Sequence, residues 1–516
     1  MAAGGDPTGE LAPVAAVSGR RSMSANALFA LLAQVGSSAF AAAVTLFLVR
    51  ALSVHQYGAL GLATAITGLV LLPADVGLIQ STARFVAEHH LDRGEVSTIV
   101  ATSLRLKIFT TGVVCAVLGL VAGPISSAWG KPELAWPLRM LAIAAFAQSV
   151  MTLLGGAFNA LGRVDRNVRV LLGENAVETT AVIVLVVVFG GATAAAVGRS
   201  IGFTIGALIA VLTLVQLLGA RALDVRPVRR EWARRLLRYG GAVVIVDSTY
   251  ALFAQVDVLL IGVIISTTAT GLYVAPFRIL TLLILPVTAI VTAVAPRLAA
   301  PASGEELDRR LPFVEATRLI ALWQGLLVAP LLVWPAPIVD VALGGATYSR
   351  SVPVLRAFAL YVFLSGFGLF FSVAANYLGQ ARRRIPIALA TVVVNVVLDV
   401  ALLPTVGVVG GAVSSGVAFA LYAPGHAVIC ARMLGVRWQV FAGVLARVAP
   451  AVAAMGLVLV AFGTHPRGVT VAAGAVCAVG AYGLAALATG ALRPDDVRRV
   501  RRRLGSTGVA SRVSRA

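Results

Sequence analysis

The chain has 516 residues, of which 59% are hydrophobic and only 12% charged, and it carries a formal net charge of +20. Soluble domains average roughly 25% charged residues, so the composition excludes a soluble globular protein and describes an all-α polytopic membrane protein. The arginines are spread through short gaps between apolar runs, which excludes a nucleic-acid-binding patch.

Residues 1–22 are rich in Gly, Ala and Pro, too poor in apolar residues to fold, and are expected to be disordered in the cytoplasm. The apolar run after Arg20 and Arg21 continues to about Val49, too long for a cleavable signal, and reads as a first span. At about 20 residues per span, the apolar runs predict about fourteen transmembrane helices. They lie near 24–49, 58–81, 101–123, 138–161, 168–190, 194–219, 240–265, 271–296, 317–343, 353–379, 385–404, 408–431, 440–463 and 468–491.

Between the sixth and seventh spans, residues 220–239 hold Arg221, Arg226, Arg229, Arg230, Arg234, Arg235 and Arg238 against Asp224 and Glu231. An Arg at the bilayer centre costs on the order of 3 kcal/mol, so this stretch is expected to be a basic cytoplasmic linker drawn to anionic lipid. Residues 492–516, with Arg493, Arg498, Arg499 and Arg501–Arg503, read as a basic cytoplasmic tail of the same kind.

Dealing the cations to alternate gaps separates them. One side takes Arg20, Arg21, the linker, the tail, Arg84, Arg93, Arg105, Lys107, Arg163, Arg166, Arg169, Arg297, Arg309, Arg310, Arg318, Arg382–Arg384, Arg432 and Arg437. The other takes only Arg50, Lys131, Arg139, Arg199, Arg350, Arg356 and Arg467. By the positive-inside rule both termini are expected to be cytoplasmic, in a multi-pass plasma-membrane protein.

The chain also repeats itself. Ser53, Gly58, Leu72, Pro73 and Arg84 recur in order as Ser266, Gly271, Leu285, Pro286 and Arg297. Arg139, Asn159, Gly162, Arg166 and Gly190 recur as Arg356, Asn376, Gly379, Arg383 and Gly407. The linker follows an even number of spans, so both halves enter the membrane from one side. The expected architecture is two parallel six-helix bundles, 23–219 and 240–432, with two additional helices in 433–491.

These residues carry a resemblance. RALSVHQYGALGLA (50–63) is similar to the R-x-L-G-x-x-x-Y-G signature of polysaccharide and lipid-linked oligosaccharide flippases, and DVGL (75–78) resembles their D-L-G-L. NALGR (159–163), VDVLLIG (256–262), TGLYVAPFRIL (270–280), NYLGQARRR (376–384) and the run 395–419 continue it in order. Ser53 and Val54 depart from the usual Gly and Pro, and Val76 from Leu. The resemblance is to the multidrug/oligosaccharidyl-lipid/polysaccharide exporter superfamily. It implies a V-shaped pair of bundles around a cavity that opens to either face in turn, carrying an undecaprenyl-diphosphate-linked oligosaccharide to the outer leaflet. No cofactor is expected, with a proton or sodium gradient or the membrane potential as candidate drives. The expected partners are anionic lipids and a neighbouring polymerase or glycosyltransferases, for a protein acting as a monomer.

Ionisable residues within spans mark the polar path such a cargo needs. The candidates are Arg50, Asp75, Glu174, Glu178, Asp247, Asp257, Arg278, Asp399 and Arg447. Glu174 and Glu178 share a helix face, and two readings stand: a proton or cation step, or solvation near the interface. Depth along a helical hairpin predicts that Asp257 pairs with Arg278. Pro73 and Pro286 are candidate kinks or gates, and Asn159 and Asn376 candidate caps. Three cysteines and five histidines without HxxxH or HExxH spacing give no disulfide framework and no metal site.

Three other functions compete. A multidrug or cation antiporter would have the same architecture and an acidic cavity. A membrane glycosyltransferase or polymerase would need paired catalytic carboxylates or a large external loop, and no external gap is long enough. A twelve-helix facilitator would carry G-x-x-x-D-[RK]-x-G-[RK], which LDRGE (91–95) does not match.

Overall fold

The computed structural model describes residues 23–219, 223, 229–299 and 309–493. The N-terminal segment, linker residues 220–222 and 224–228, and the tail from 494 lie outside the described residues, as do the side chains of Asp75 and Asp247.

The described residues form seventeen α-helices and no strand. The first half comprises α1 (Met23–Ala51), α2 (Val54–Asp75), α3 (Leu78–Glu88), α4 (Arg93–Ala128), α5 (Ala135–Ala160), α6 (Val164–Phe189) and α7 (Gly191–Leu218). The second comprises α8 (Arg230–Ile264), α9 (Thr267–Leu282), α10 (Leu285–Ala299), α11 (Arg310–Val333), α12 (Pro335–Leu343), α13 (Val352–Tyr377), α14 (Ala381–Val406) and α15 (Val408–Leu434). The last two helices are α16 (Trp438–Ala461) and α17 (Val469–Ala488).

Twelve stretches are long and apolar enough to cross a membrane, and the pair α9–α10, bent by 43°, makes a thirteenth. The remaining expected span, 240–265, falls inside the 35-residue α8. Large apolar side chains on the perimeter, such as Val187, Leu457 and Leu484, are exposed, as a surface facing lipid tails requires.

The expected spans at 58–81 and 271–296 are each two helices, one broken just after Pro73 and the other just before the repeat-related Pro286. Pro73 lies in the last turn of α2, and Val76 and Gly77 then adopt left-handed backbone at φ 46° and 63°. Pro286 lies in the first turn of α10, just past the α9 break, where its missing N–H would have no intrahelical partner anyway.

The halves meet where α2 crosses α9, and this crossing uses repeat-related residues on both sides. A Cβ on Gly58 would overlap the backbone of Thr267, and one on Gly271 would overlap that of Val54, so only glycine permits the approach. Beside them His55 Nδ1 lies 3.2 Å from Thr268 Oγ1, 213 residues away. Glu133 joins the two, 3.5 Å from His55 Nε2 and accepting from Thr267 Oγ1 at 3.1 Å.

At the opposite end the linker differs from expectation. Its second part is not a separate segment but the first turns of α8. Trp232 and Leu236, one turn apart, are buried while Arg230, Arg234, Arg235 and Arg238 stay exposed, an amphipathic pattern that favours helix. Trp232 Nε1 donates to Glu95 Oε1 at 2.6 Å, and its ring packs edge-on against Phe85 and His89. These contacts tie α8 to α3 and α4 of the first half.

Asn159 and Asn376 make corresponding interhelical ties rather than side-chain caps. Asn167 Nδ2 donates to Asn159 Oδ1 at 3.2 Å, linking α6 to α5. In the second half Arg384, on α14, donates to Asn376 and to Ser372 of α13. The appended α16 and α17 pack on α11, where Tyr482 donates to Leu322 O at 2.6 Å.

Candidate functional site

A cavity of about 160 Å³ lies between α1, α2, α6 and α7 of the first half and α9 of the second. Its polar wall is made by Tyr57, Thr64, Asn175, Glu178, Arg199 and Arg278. The sequence brings these together through small residues on α7. A Cβ on Gly202 would sit 2.6 Å from Glu178 Cα, and one on Gly206 2.6 Å from Glu174 Cγ. Glycine every fourth residue therefore lets α7 press directly onto the acidic face of α6.

That approach places Arg199 Nε 3.5 Å from Glu178 Oε1, with the Arg199 guanidinium 5.5 Å from the Phe203 ring centroid. One turn away Glu174 is 3% exposed, and its buried Oε1 has no hydrogen-bond partner. Across the cavity Arg278 is mostly buried, and among the described residues no carboxylate lies within ion-pair distance of it. The cavity wall thus presents two guanidinium groups and one carboxylate.

A second polar cluster lies inside the second half. Asp257 of α8 accepts from Tyr273 Oη at 2.5 Å, from Asn395 Nδ2 at 2.7 Å and from Ser415 Oγ. Asn395 Nδ2 also lies 3.2 Å from Asp399 Oδ2, and Ser414 Oγ donates to the other oxygen of Asp399. Asp257 is 3% and Asp399 0% exposed. All the donors are neutral, so two buried carboxylates stand here without a cationic side chain among the described residues. Asn395 Oδ1 is buried and unpartnered, an acceptor with no donor among the described residues. The carboxylates and hydroxyls are hard oxygen groups joined by the Asn395 amide, suited to holding a proton and unsuited to soft metals.

Asp257 and Arg278 do not form the expected pair. The turn between α8 and α9 holds only Ile265 and Ser266, so α9 begins at Thr267 and not at Gly271. At 1.5 Å rise per residue Asp257 lies roughly 10 Å from the turn and Arg278 roughly 16 Å, and the residue level with Asp257 is Tyr273. Arg278 then faces the cavity and Asp257 faces α14 and α15.

The other candidates divide. Glu178 and Arg278 line the cavity, and Glu174 supports it from behind. Arg50 does not line it: it is exposed in the last turn of α1, where Nη2 donates to Val341 O at 2.8 Å and fastens α1 to α12. Arg447 is exposed on α16. Arg199, assigned to an outer gap from the sequence, instead lies inside α7 on the cavity wall. Its position within the 194–219 apolar run and one residue after Gly198 was the available signal. Asn395, Ser414 and Ser415 were likewise missed, although Asn395 stands one helical turn before Asp399 on the same face.

Comparison with known proteins adds sequence relationships to this geometry. Residues 23–300 match the family described as Polysaccharide biosynthesis protein, and residues 176–472 match the Lipid II flippase MurJ family. The chain is 24% identical over 411 residues to a probable low-salt glycan biosynthesis flippase, Agl15, of Haloferax volcanii, spanning 76% of this chain and 80% of that one. The fold is similar to a lipid II flippase MurJ in an inward closed conformation, with TM-score 0.68 and 12% identity over 91% of this chain and 99% of that one. It is also similar to an inward-facing multidrug resistance MATE family transporter, with TM-score 0.65 and 16% identity over 79% of this chain and 95% of that one. The two family matches each span more than half of the sequence, and the chain therefore belongs to the polysaccharide and lipid-linked oligosaccharide flippases of the multidrug/oligosaccharidyl-lipid/polysaccharide exporter superfamily.

Proposed function

We propose that this protein carries a polyprenyl-diphosphate-linked saccharide from the cytoplasmic to the outer leaflet by alternating access. The observation that carries this reading is the cavity between the halves, where Arg278 and Arg199 outnumber Glu178. An anionic head needs cations along its path, while the polyprenyl tail stays in lipid. The arginine distribution supports a cytoplasmic linker and cytoplasmic termini, and in that orientation the tight α2–α9 crossing closes the outer end. Glu133, His55 and Thr268 then form an outer clasp, with Arg50 beside it, and Pro73 and Pro286 stand at breaks about which the helices swing.

The second-half cluster is the natural site for coupling. Asp257, Asp399 and Asn395 take up a proton or sodium ion, and the membrane potential adds force to outward movement of an anion. A transport role without catalysis fits this reading, in which the carboxylates of Asp257 and Asp399 are buried away from the cavity. The protein works as a monomer beside the glycosyltransferases or polymerase that make and use the cargo.

Depleting the protein in cells tests the reading. The expected outcome is a rise in lipid-linked saccharide on the cytoplasmic leaflet with unchanged efflux of cationic dyes. Unchanged lipid intermediates together with lost dye efflux would overturn it in favour of the cation antiporter.

A further inference from the structure

We propose that Arg384 is an electrostatic plug: it closes the inner end of a polar column in the second half and keeps protons held by Asp257 and Asp399 from running through to the cytoplasm. This rests on the coupling role and the orientation proposed above and adds the residue that prevents leak.

The column follows one face of α14. Arg384, Ala388, Thr391, Asn395 and Asp399 recur at helical spacing and are all buried. α15 runs antiparallel beside them: Ser414 donates to Asp399 near one end, and a Cβ on Gly425 would lie 2.8 Å from Ile387 near the other. Tyr422 is therefore level with Thr391, and His426 lies between Ala388 and Arg384. Tyr422 Oη donates to Ser372 Oγ of α13 at 3.0 Å, and Arg384 donates to the same Ser372 and to Asn376. Asn376 is exposed. Polar groups about one helical turn apart thus lead from the enclosed carboxylates to the inner surface.

Two groups in the column are acceptors without donors. Asn395 Oδ1 is one. His426 Nδ1 lies 2.8 Å from the Tyr422 carbonyl, which can only accept, so Nδ1 carries the hydrogen and Nε2 is a bare acceptor, buried and unpartnered. A proton moving inward from Asp399 meets these acceptors in turn. Left open, the column would dissipate the gradient that the carboxylates serve.

Arg384 stands at its end with a charge that nothing cancels. It is 8% exposed, its Nε is buried without a partner, and its two acceptors, Ser372 and Asn376, are neutral. Among the described residues no carboxylate pairs with it. The carbonyl end of α13, where Asn376 lies, offsets only about half a unit charge, so the mouth stays positive. An arginine in a narrow polar path repels protons and other cations. The first half makes the corresponding tie without charge. There Asn167 donates to Asn159 across the same eight-residue separation as Arg384 to Asn376, and Gly155 stands in the place of Ser372. The helix tie therefore does not need a guanidinium, and the half that encloses its acid pair is the half that has one.

The test uses the purified full chain in proteoliposomes without cargo, with a trapped pH dye and an inside-negative potassium diffusion potential. The wild type should admit protons no faster than protein-free liposomes. Arg384→Gln should raise proton entry by about tenfold or more, while Arg384→Lys, which keeps the charge, should stay tight. Asn376→Asp should leak as Arg384→Gln does, since a carboxylate of the same shape cancels the charge in place. Adding Asp257→Asn and Asp399→Asn to Arg384→Gln should abolish the leak.

Monodisperse Arg384→Gln or Asn376→Asp no leakier than the wild type would overturn the proposal and leave the coupling role standing. A leak that survives loss of both carboxylates would overturn the two together. Should Arg384→Gln fail to fold, the remaining pair decides: equal proton entry through Arg384→Lys and Asn376→Asp overturns the proposal.

Discussion

The two acidic pairs of this molecule are built on opposite principles. Glu174 and Glu178 sit on one helix against glycines, with Glu178 facing a cavity in which its partner is a cation and Glu174 buried behind it. Asp257 and Asp399 come from different helices and are enclosed by an amide and three hydroxyls, with no access to water. A carboxylate paired with an arginine at a cavity wall can be exchanged for another anion. A carboxylate held by neutral donors in the interior can bind only a small positive centre. The two halves thus differ, with an exchangeable site in the first and an enclosed one in the second.

The largest expected effect falls on the cation facing the first pair. Arg278→Gln should lower transport by about a hundredfold with normal expression and monodispersity. Losing one partner of a desolvated charge contact costs about 2–5 kcal/mol. Equal loss of transport and of folding would instead make Arg278 structural.

Next is the crossing about which the halves turn. Gly58→Val puts side-chain atoms into the Thr267 backbone and should hold the outer end apart. Transport should drop by at least tenfold, and a cysteine placed at Thr268 should become more reactive to a membrane-impermeant thiol reagent. Unchanged reactivity would show that the crossing does not close the path.

The contrast between enclosed and exchangeable pairs predicts unequal stability costs. Asp257→Ala strands three donors and should cost about 2–4 kcal/mol, read as a lower unfolding temperature in detergent. Glu178→Ala removes one loose, partly exposed ion pair and should cost under about 1 kcal/mol. Similar costs at the two sites would break the comparison. The smallest effect is expected in the linker: Arg229, Arg230, Arg234 and Arg235 all replaced by Lys should leave insertion and transport within about twofold, since topology and lipid attraction need charge and not shape.

The sequence was most readable where the physics is one-dimensional. Among the described residues, apolar run length located each stretch long and apolar enough to cross a membrane, and Gly58 and Gly271, paired in the sequence, meet in the fold. It was least readable where a few residues of offset change a helix face. Starting α9 four residues early moved Arg278 more than a helical turn away from Asp257 in depth and turned it toward the cavity. Arg199 looked like a topological cation because counting charges ignores which face of α7 carries the glycines. Ser414, Ser415 and Asn395 are common polar residues, and only the folded contacts distinguish them from small packing residues. The linker arginines concealed a helix because their charge outweighs Trp232 and Leu236 in composition but not in packing.

The most direct test of the account is translocation by the purified full chain in proteoliposomes, using a fluorescent polyprenyl-diphosphate-linked saccharide and a membrane-impermeant quencher. The account predicts that the protein moves the lipid across the bilayer, that an inside-negative potential speeds the outward direction, and that Arg278→Gln slows movement by about a hundredfold while Arg447→Gln, exposed on α16, leaves it intact. Wild-type protein that moves a cationic dye and leaves the lipid-linked saccharide in place would contradict it.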